Sequence, residues 1–187
     1  LESRSDNQIM LCVKQGQTDL AGILYEKYKD ILFRFFFNLM QNATLSEDLV
    51  HNVFIRVLKY RDRFRGEGEF KYWLFAIARN VHADHYRNKA NRYTEDIDKW
   101  RDQIESQSDQ NLSLERKEEI LRLREALNQL DPSKREVLVL SRFQGMKYRE
   151  IGELLDLSEG NVKVRVFRAM KELKNIFQQL DNTKNGC

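Results

Sequence analysis

Proline occurs once in these 187 residues and glycine eight times. Hairpins, sandwiches and other turn-rich β architectures need more of both, whereas the plentiful Leu, Glu, Lys, Arg and Gln favour helices. Only two cysteines are present, Cys12 and Cys187, far apart in sequence and without a CxxC or paired histidines. That argues against a disulfide framework and against a zinc site, and suits a reducing cytoplasm. No apolar run approaches the roughly 20 residues that cross a bilayer, and no signal peptide is recognisable. A soluble, cytoplasmic protein without membrane insertion is therefore expected.

What is present suits an all-α protein of two small helical domains. Hydrophobic residues make up 41% of the sequence, with eleven Phe, seven Tyr and two Trp to fill compact cores. The net charge of +3 says little about partners, but its distribution is uneven. Residues 56–92 carry ten Lys/Arg against four Asp/Glu, residues 93–119 four against nine, and residues 159–174 five against two.

Helical periodicity organises the chain. Leu20, Leu24, Tyr28, Ile31, Leu32, Phe35 and Leu39 form one stripe, which predicts a core helix, and most of the Phe35-Phe36-Phe37 run reads as packing. In "ATLSEDLVHNVFIRVLKY", Ser46 is an N-cap candidate with Glu47 and Asp48 in the first turn, so a second helix is expected to run to about Tyr60. The glycine loop "RFRGEGEF", residues 63–70, interrupts the pattern before a helix to about Asn88. On that helix Phe70, Leu74, Ile77, Ala78 and Val81 make the apolar face, and Tyr72, Arg79, Tyr86 and Arg87 project oppositely. Residues 93–113 are polar and acidic, suiting a flexible linker between a domain over 6–92 and another over 114–180. Asp131-Pro132 then reads as an N-cap followed by proline at the first helical position, and Gly145 as the close of the helix that they begin.

"YREIGELLDLSEGNVKVRVFRAMKEL" has the layout of a helix-turn-helix, with Ile151, Leu154 and Leu155 inward, a tight turn through Leu157 and Ser158 as the next cap. At about 100° per residue, Val162, Val166, Ala169, Met170 and Leu173 share one arc and form the packed side. Lys163, Val164, Phe167, Arg168 and Lys171 lie opposite. An ordinary solvated helix accounts for the cations but poorly for an outward Phe167 and Val164; a helix lying in a groove of DNA accounts for all five.

Nearly the whole chain resembles a bacterial sigma factor of the small extracytoplasmic-function (ECF) type, a two-domain member of the sigma-70 family. "SEDLVHNVFIRVLKYRDRFRGEGEFKYWLFAIARN" is similar to the family's first conserved domain, and "LREALNQLDPSKREVLVLSRFQGMKYREIGELLDLSEGNVKVRVFRAMKEL" to its second. The resemblance implies a subunit that binds core RNA polymerase and directs promoter recognition, DNA melting and initiation. Lys163, Val164, Phe167 and Arg168 would read the −35 element in the major groove, with Arg149, Arg165 and Lys171 on phosphates. The glycine loop, including Gly66 and Glu67, and the helix after it would capture unstacked bases of the −10 element. There Phe64 and Trp73 could stack, Asn80 could bond a base edge, and Arg61, Arg63, Arg65 and Arg79 would attract the strand.

By the same resemblance, the helix from Asp48 to Lys59 would dock on the clamp helices of the polymerase β′ subunit, with the β flap as a further contact. Candidates are Asp48, Leu49, Asn52, Val53, Arg56 and Val57; Leu49, Val53, Phe54 and Val57 include inward and interface residues that sequence does not separate. His51-Asn52 stands where members often have Gln-Glu, a departure at the polar part of that interface. The acidic linker would thread into the polymerase, and an anti-sigma factor would bind across both domains.

Two other classes fit less well. An enzyme would need His51, His82, Asp84 and His85 as ligands or acid-base groups, but no Cys or carboxylate cluster completes a site, so neither a cofactor nor a metal is expected. A helix-turn-helix regulator would bind duplex DNA without polymerase, which leaves the first domain unexplained.

Overall fold

The computed structural model describes residues 4–91 and 113–184. The linker expected over 93–113, Ser113 apart, lies outside the described residues. Every regular element among them is helical: α1 (Asp6–Lys14), α2 (Ala21–Met40), α3 (Ala43–Lys59), α4 (Phe70–Asn91), α5 (Leu114–Gln129), α6 (Pro132–Leu138), α7 (Tyr148–Leu155) and α8 (Glu159–Lys184). The described residues fall into two compact units, one holding 4–36 and 44–91, the other 37–43 and 113–184.

The first unit begins with a helix that the periodicity did not single out. Ser5 caps α1 through a reciprocal pair: its hydroxyl accepts from the Gln8 N–H at 3.3 Å, and the Gln8 side chain accepts from the Ser5 N–H at 2.8 Å. Ile9, Met10 and Val13 are its buried face. Aromatic rings dominate the centre: Phe35 meets Phe75 edge-on at 5.2 Å and Tyr28 meets Phe70 at 5.6 Å. α3 departs from expectation at its start. It begins at Ala43, after Gln41 turns through φ 53°, and Ser46 sits fully buried inside the helix instead of capping it.

The second unit packs α5, α6 and α7 onto α8. Asp131 caps α6 as expected, accepting from the Ser133 N–H at 2.9 Å and its hydroxyl at 2.6 Å, with Pro132 at the first helical position. These bonds, the hydroxyl first, hold the Asp131 carboxyl below its usual range. After α6 the backbone widens into a π turn, Val139–Phe143, where the Gln144 N–H donates to the Val139 carbonyl at 3.0 Å. Gly145, at φ 64°, then closes it.

Candidate nucleic-acid interface

The turn between α7 and α8 is set by backbone contact. Asp156 takes the left-handed conformation at φ 56°, and the Leu157 N–H donates to the Gly152 carbonyl at 2.9 Å. Gly152 has no room for a side chain, since a Cβ there would lie 2.6 Å from the Leu157 carbonyl oxygen. Ser158 caps α8 by accepting from the Asn161 N–H at 3.2 Å. Ile151, Val162, Val166, Ala169 and Leu173 are buried beneath the turn.

This packing turns the opposite face of α8 to solvent. Phe167 is 70% exposed and Val164 46%, among the exposed Lys163, Arg165, Arg168 and Lys171. Val164 and Phe167 stand three positions apart on the helix, so they form one small apolar patch among the cations. Arg149 is also exposed and pairs loosely with Glu153 at 3.2 Å. Met170, expected on the packed side, is 38% exposed and lines a groove between α5 and α8 with Leu123, Leu173 and Phe177.

In the first unit, a cleft of about 360 Å³ opens between α3 and α4. Its wall brings together Arg63, Trp73 and Asn80, expected near the −10 strand, with Tyr60, Arg56, Asp84 and Arg87. The Arg63 guanidinium lies over the Tyr60 ring at 4.9 Å. Asp84 accepts from Arg56 at 2.6 Å and from Arg87, and these bonds, Arg56 first, depress its carboxyl below the usual range. Arg61, Arg65, Gly66, Glu67 and Arg79 lie outside the cleft wall; Arg65 and Glu67 are exposed on the glycine loop, where Gly66 and Gly68 have φ 76° and 77°. Arg61 is turned inward enough to donate to the Leu58 carbonyl at 3.0 Å.

Phe64 does not fit its expected stacking role. It is 2% exposed, edge-on to Trp73 at 5.2 Å and near Phe70 at 6.0 Å, so its faces are already covered by protein. The aromatic core reaches into the loop and takes this ring, leaving Trp73, half-buried, at the cleft beside Tyr60.

Residues 24–92 match Sigma-70 region 2, and residues 120–173 match Sigma-70, region 4. The ECF RNA polymerase sigma factor EcfG of Rhodopseudomonas palustris is 34% identical over 140 residues, covering 74% of this chain and 75% of that protein. The chain belongs to the ECF sigma factors. The ECF sigma factor BldN of Streptomyces coelicolor is 28% identical over 162 residues, 86% of this chain, and this chain spans 61% of the length of BldN. A solved structure of CnrH in complex with the cytosolic domain of CnrY aligns at 23% identity with a TM-score of 0.72, over 94% of this chain and 99% of that one, a likeness of fold. The sigma-70 regions make this chain a polymerase-binding, promoter-recognising subunit of a family that is generally non-enzymatic.

The α3 face of this sigma factor separates what the sequence left mixed. Leu49, Val53 and Val57 are buried in the core of the first unit and leave the list of docking candidates, because side chains without exposed surface have nothing to offer a partner. Arg56 is held by Asp84 at the cleft. Asp48 and Asn52 remain outward with His51, whose ring bonds the Tyr25 hydroxyl at 3.1 Å, and they are joined by one residue that sequence reasoning missed, Ile55, 64% exposed. Ile55 falls in line with Asp48 and Asn52 on a seven-residue repeat, which is the signal that could have found it. His82 and His85 both pack against Tyr86, at 4.9 and 6.1 Å between ring centres. Among the described residues no three His, Cys, Asp or Glu side chains cluster as metal ligands would, and no helix is long and apolar enough to cross a membrane.

Proposed function

We propose that the two units divide promoter recognition, the −10 function belonging to residues 6–92 and the −35 function to residues 114–180. α8 lies in the major groove, where Lys163, Val164, Phe167 and Arg168 read −35 bases; Arg149, Arg165 and Lys171 bind phosphates and set register. The observation that carries this reading is the exposed Phe167 and Val164 amid four cations, on the second helix of a helix-turn-helix whose opposite face buries Val162, Val166, Ala169 and Leu173. An apolar contact to a thymine methyl and hydrogen bonds to guanine are the groove chemistry such a surface offers.

In the first unit, the glycine loop and the α3–α4 cleft take the unstacked −10 strand. Trp73 supplies a stacking face, Asn80 a donor and acceptor for a base edge, and Arg63 and Arg65 charge along the backbone. The outward face of α3, with Asp48, His51, Asn52 and Ile55, docks on the clamp helices of the polymerase β′ subunit, and the second unit on the β flap. An anti-sigma factor covering these surfaces is the expected regulator; the sigma factor RpoE of Bartonella quintana, similar in fold, was solved in complex with the anti-sigma factor NepR, which supports a partner of that kind. The subunit performs no covalent chemistry; the polymerase makes RNA.

In vitro transcription with core polymerase on a promoter library tests the reading directly. Start sites should cluster downstream of a shared pair of elements only when the subunit is added. Starts distributed as with core alone, or tight sequence-specific binding of duplex DNA without polymerase, would overturn it.

A further inference from the structure

The glycine loop is held in place from nearly the other end of its unit. The Asn7 side chain, on α1, donates through Nδ2 to the Gly68 carbonyl at 2.6 Å and the Gly66 carbonyl at 3.4 Å, while its Oδ1 accepts from the Phe70 N–H at 2.6 Å. One turn further, Leu11 lies over Gly66, with its Cδ1 3.6 Å from where a Cβ would stand. Two turns on, Lys14 Nζ donates to the Phe64 carbonyl at 2.7 Å. Three residues on one face of α1 thus grip residues 64 to 70.

The chemistry at Asn7 is specific. Phe70 is the first residue of α4, so its N–H has no acceptor within the helix, and Asn7 caps it in place of a neighbour in sequence. The two glycine carbonyls belong to residues at positive φ and have no ladder of their own. Satisfying two acceptors and one donor from a single short side chain requires a carboxamide; a carboxylate lacks both donors. α1 is itself anchored: Asp6 accepts from Lys27 Nζ at 2.7 Å and from the Tyr28 hydroxyl at 2.6 Å on α2, above the buried Ile9, Met10 and Val13. α1 is thereby tied to α2 as well as to the loop.

We propose that Asn7 and Lys14 are positioning residues for −10 recognition, holding the glycine loop in the shape that accepts the unstacked strand. A loop with two glycines samples many conformations when free, and ordering it at the moment of binding weakens the complex; fixing it beforehand removes that loss. The inference rests on the reading that this loop captures the −10 strand.

The test uses holoenzyme reconstituted with Asn7→Asp, Lys14→Met and Gly68→Ala. Asn7→Asp keeps the volume and the acceptor but removes both donors, and Lys14→Met keeps the stem. Binding to a single-stranded −10 oligonucleotide should weaken roughly tenfold for each of the two α1 variants. Preference for the correct −10 sequence over a scrambled one should shrink, and permanganate reactivity of the promoter should fall. Affinity for core polymerase and for duplex carrying only the −35 element should stay unchanged. If both α1 variants bind and discriminate the oligonucleotide normally while Gly68→Ala does not, the loop keeps its role and this inference is wrong. If Gly68→Ala is also normal, the reading of the loop fails and takes the inference with it. Parallel loss of core-polymerase affinity would mark Asn7 and Lys14 as general stabilisers and overturn the proposal as well.

Discussion

Adding one methyl group at Gly152 should loosen the helix-turn-helix without touching any residue proposed to face DNA. The new carbon would stand 2.6 Å from the Leu157 carbonyl oxygen, about 0.8 Å inside ordinary van der Waals contact at 3.4 Å. The obstructing atom is backbone, in a turn already closed by the Leu157 N–H bond to Gly152, so no side-chain rotation relieves it. Overpacking of this kind costs about 1–3 kcal/mol, and the rigid turn argues for the upper part of that range. Alanine recovers up to about 1 kcal/mol through its helix propensity. A net loss of about 2 kcal/mol corresponds to a roughly thirtyfold larger opening equilibrium constant. Hydrogen exchange of amides in residues 148–173 should accelerate by that factor, with amides of α3 and α4 unaffected. Gly160→Ala is the control, because its Cβ meets nothing within 4 Å and the residue lies in α8; it should be neutral or slightly stabilising. Unchanged exchange in Gly152→Ala, or equal damage from Gly160→Ala, would refute the steric reasoning.

Other expectations follow from burial and charge. Phe167→Ala should change unfolding stability by less than about 0.5 kcal/mol while reducing −35 discrimination in holoenzyme binding assays. Arg168→Ala should cost about 1–3 kcal/mol at particular −35 bases; an equal loss on every sequence would contradict base reading. Leu49→Ala should destabilise the first unit by about 2–5 kcal/mol in urea titration, whereas Ile55→Ala should leave its midpoint alone and weaken core-polymerase binding by about 1 kcal/mol or more. Asp84, held below its ordinary value by Arg56 and Arg87, contributes stability that is present above the unfolded carboxylate pKa of about 3.9 and lost as pH falls through the lower folded value. Acid titration of the first unit should therefore show a stability loss below about pH 4 that Asp84→Asn diminishes.

Features decided within a few residues were legible in the sequence, and those decided by packing were not. Asp131 caps α6 because its carboxylate needs only Ser133, two positions on, and the helix-turn-helix face of α8 follows from periodicity alone. The Ser5–Gln8 capping box that starts α1 is equally local. Ser46 misled because a cap-like residue can also sit inside a helix whose start is fixed three residues earlier by the Gln41 turn. Phe64 looked available because it stands in a loop; Phe70 and Trp73 draw it into the core through contacts that no spacing rule encodes. The outward face of α3 needed the packed unit before the buried Leu49, Val53 and Val57 could be told from the exposed Asp48, Asn52 and Ile55. Asn7's hold on the loop spans 59 to 63 residues of sequence, beyond any local pattern.

The π turn at Val139–Phe143 carries one residue more than an α-helical turn would. Deleting a single amino acid there would let α6 run on with ordinary pitch, and everything downstream would be rotated by about 100°. The face of α8 proposed to read the −35 element would be re-aimed with its own side chains unaltered, so its direction is written into a backbone count well upstream of the residues that form it.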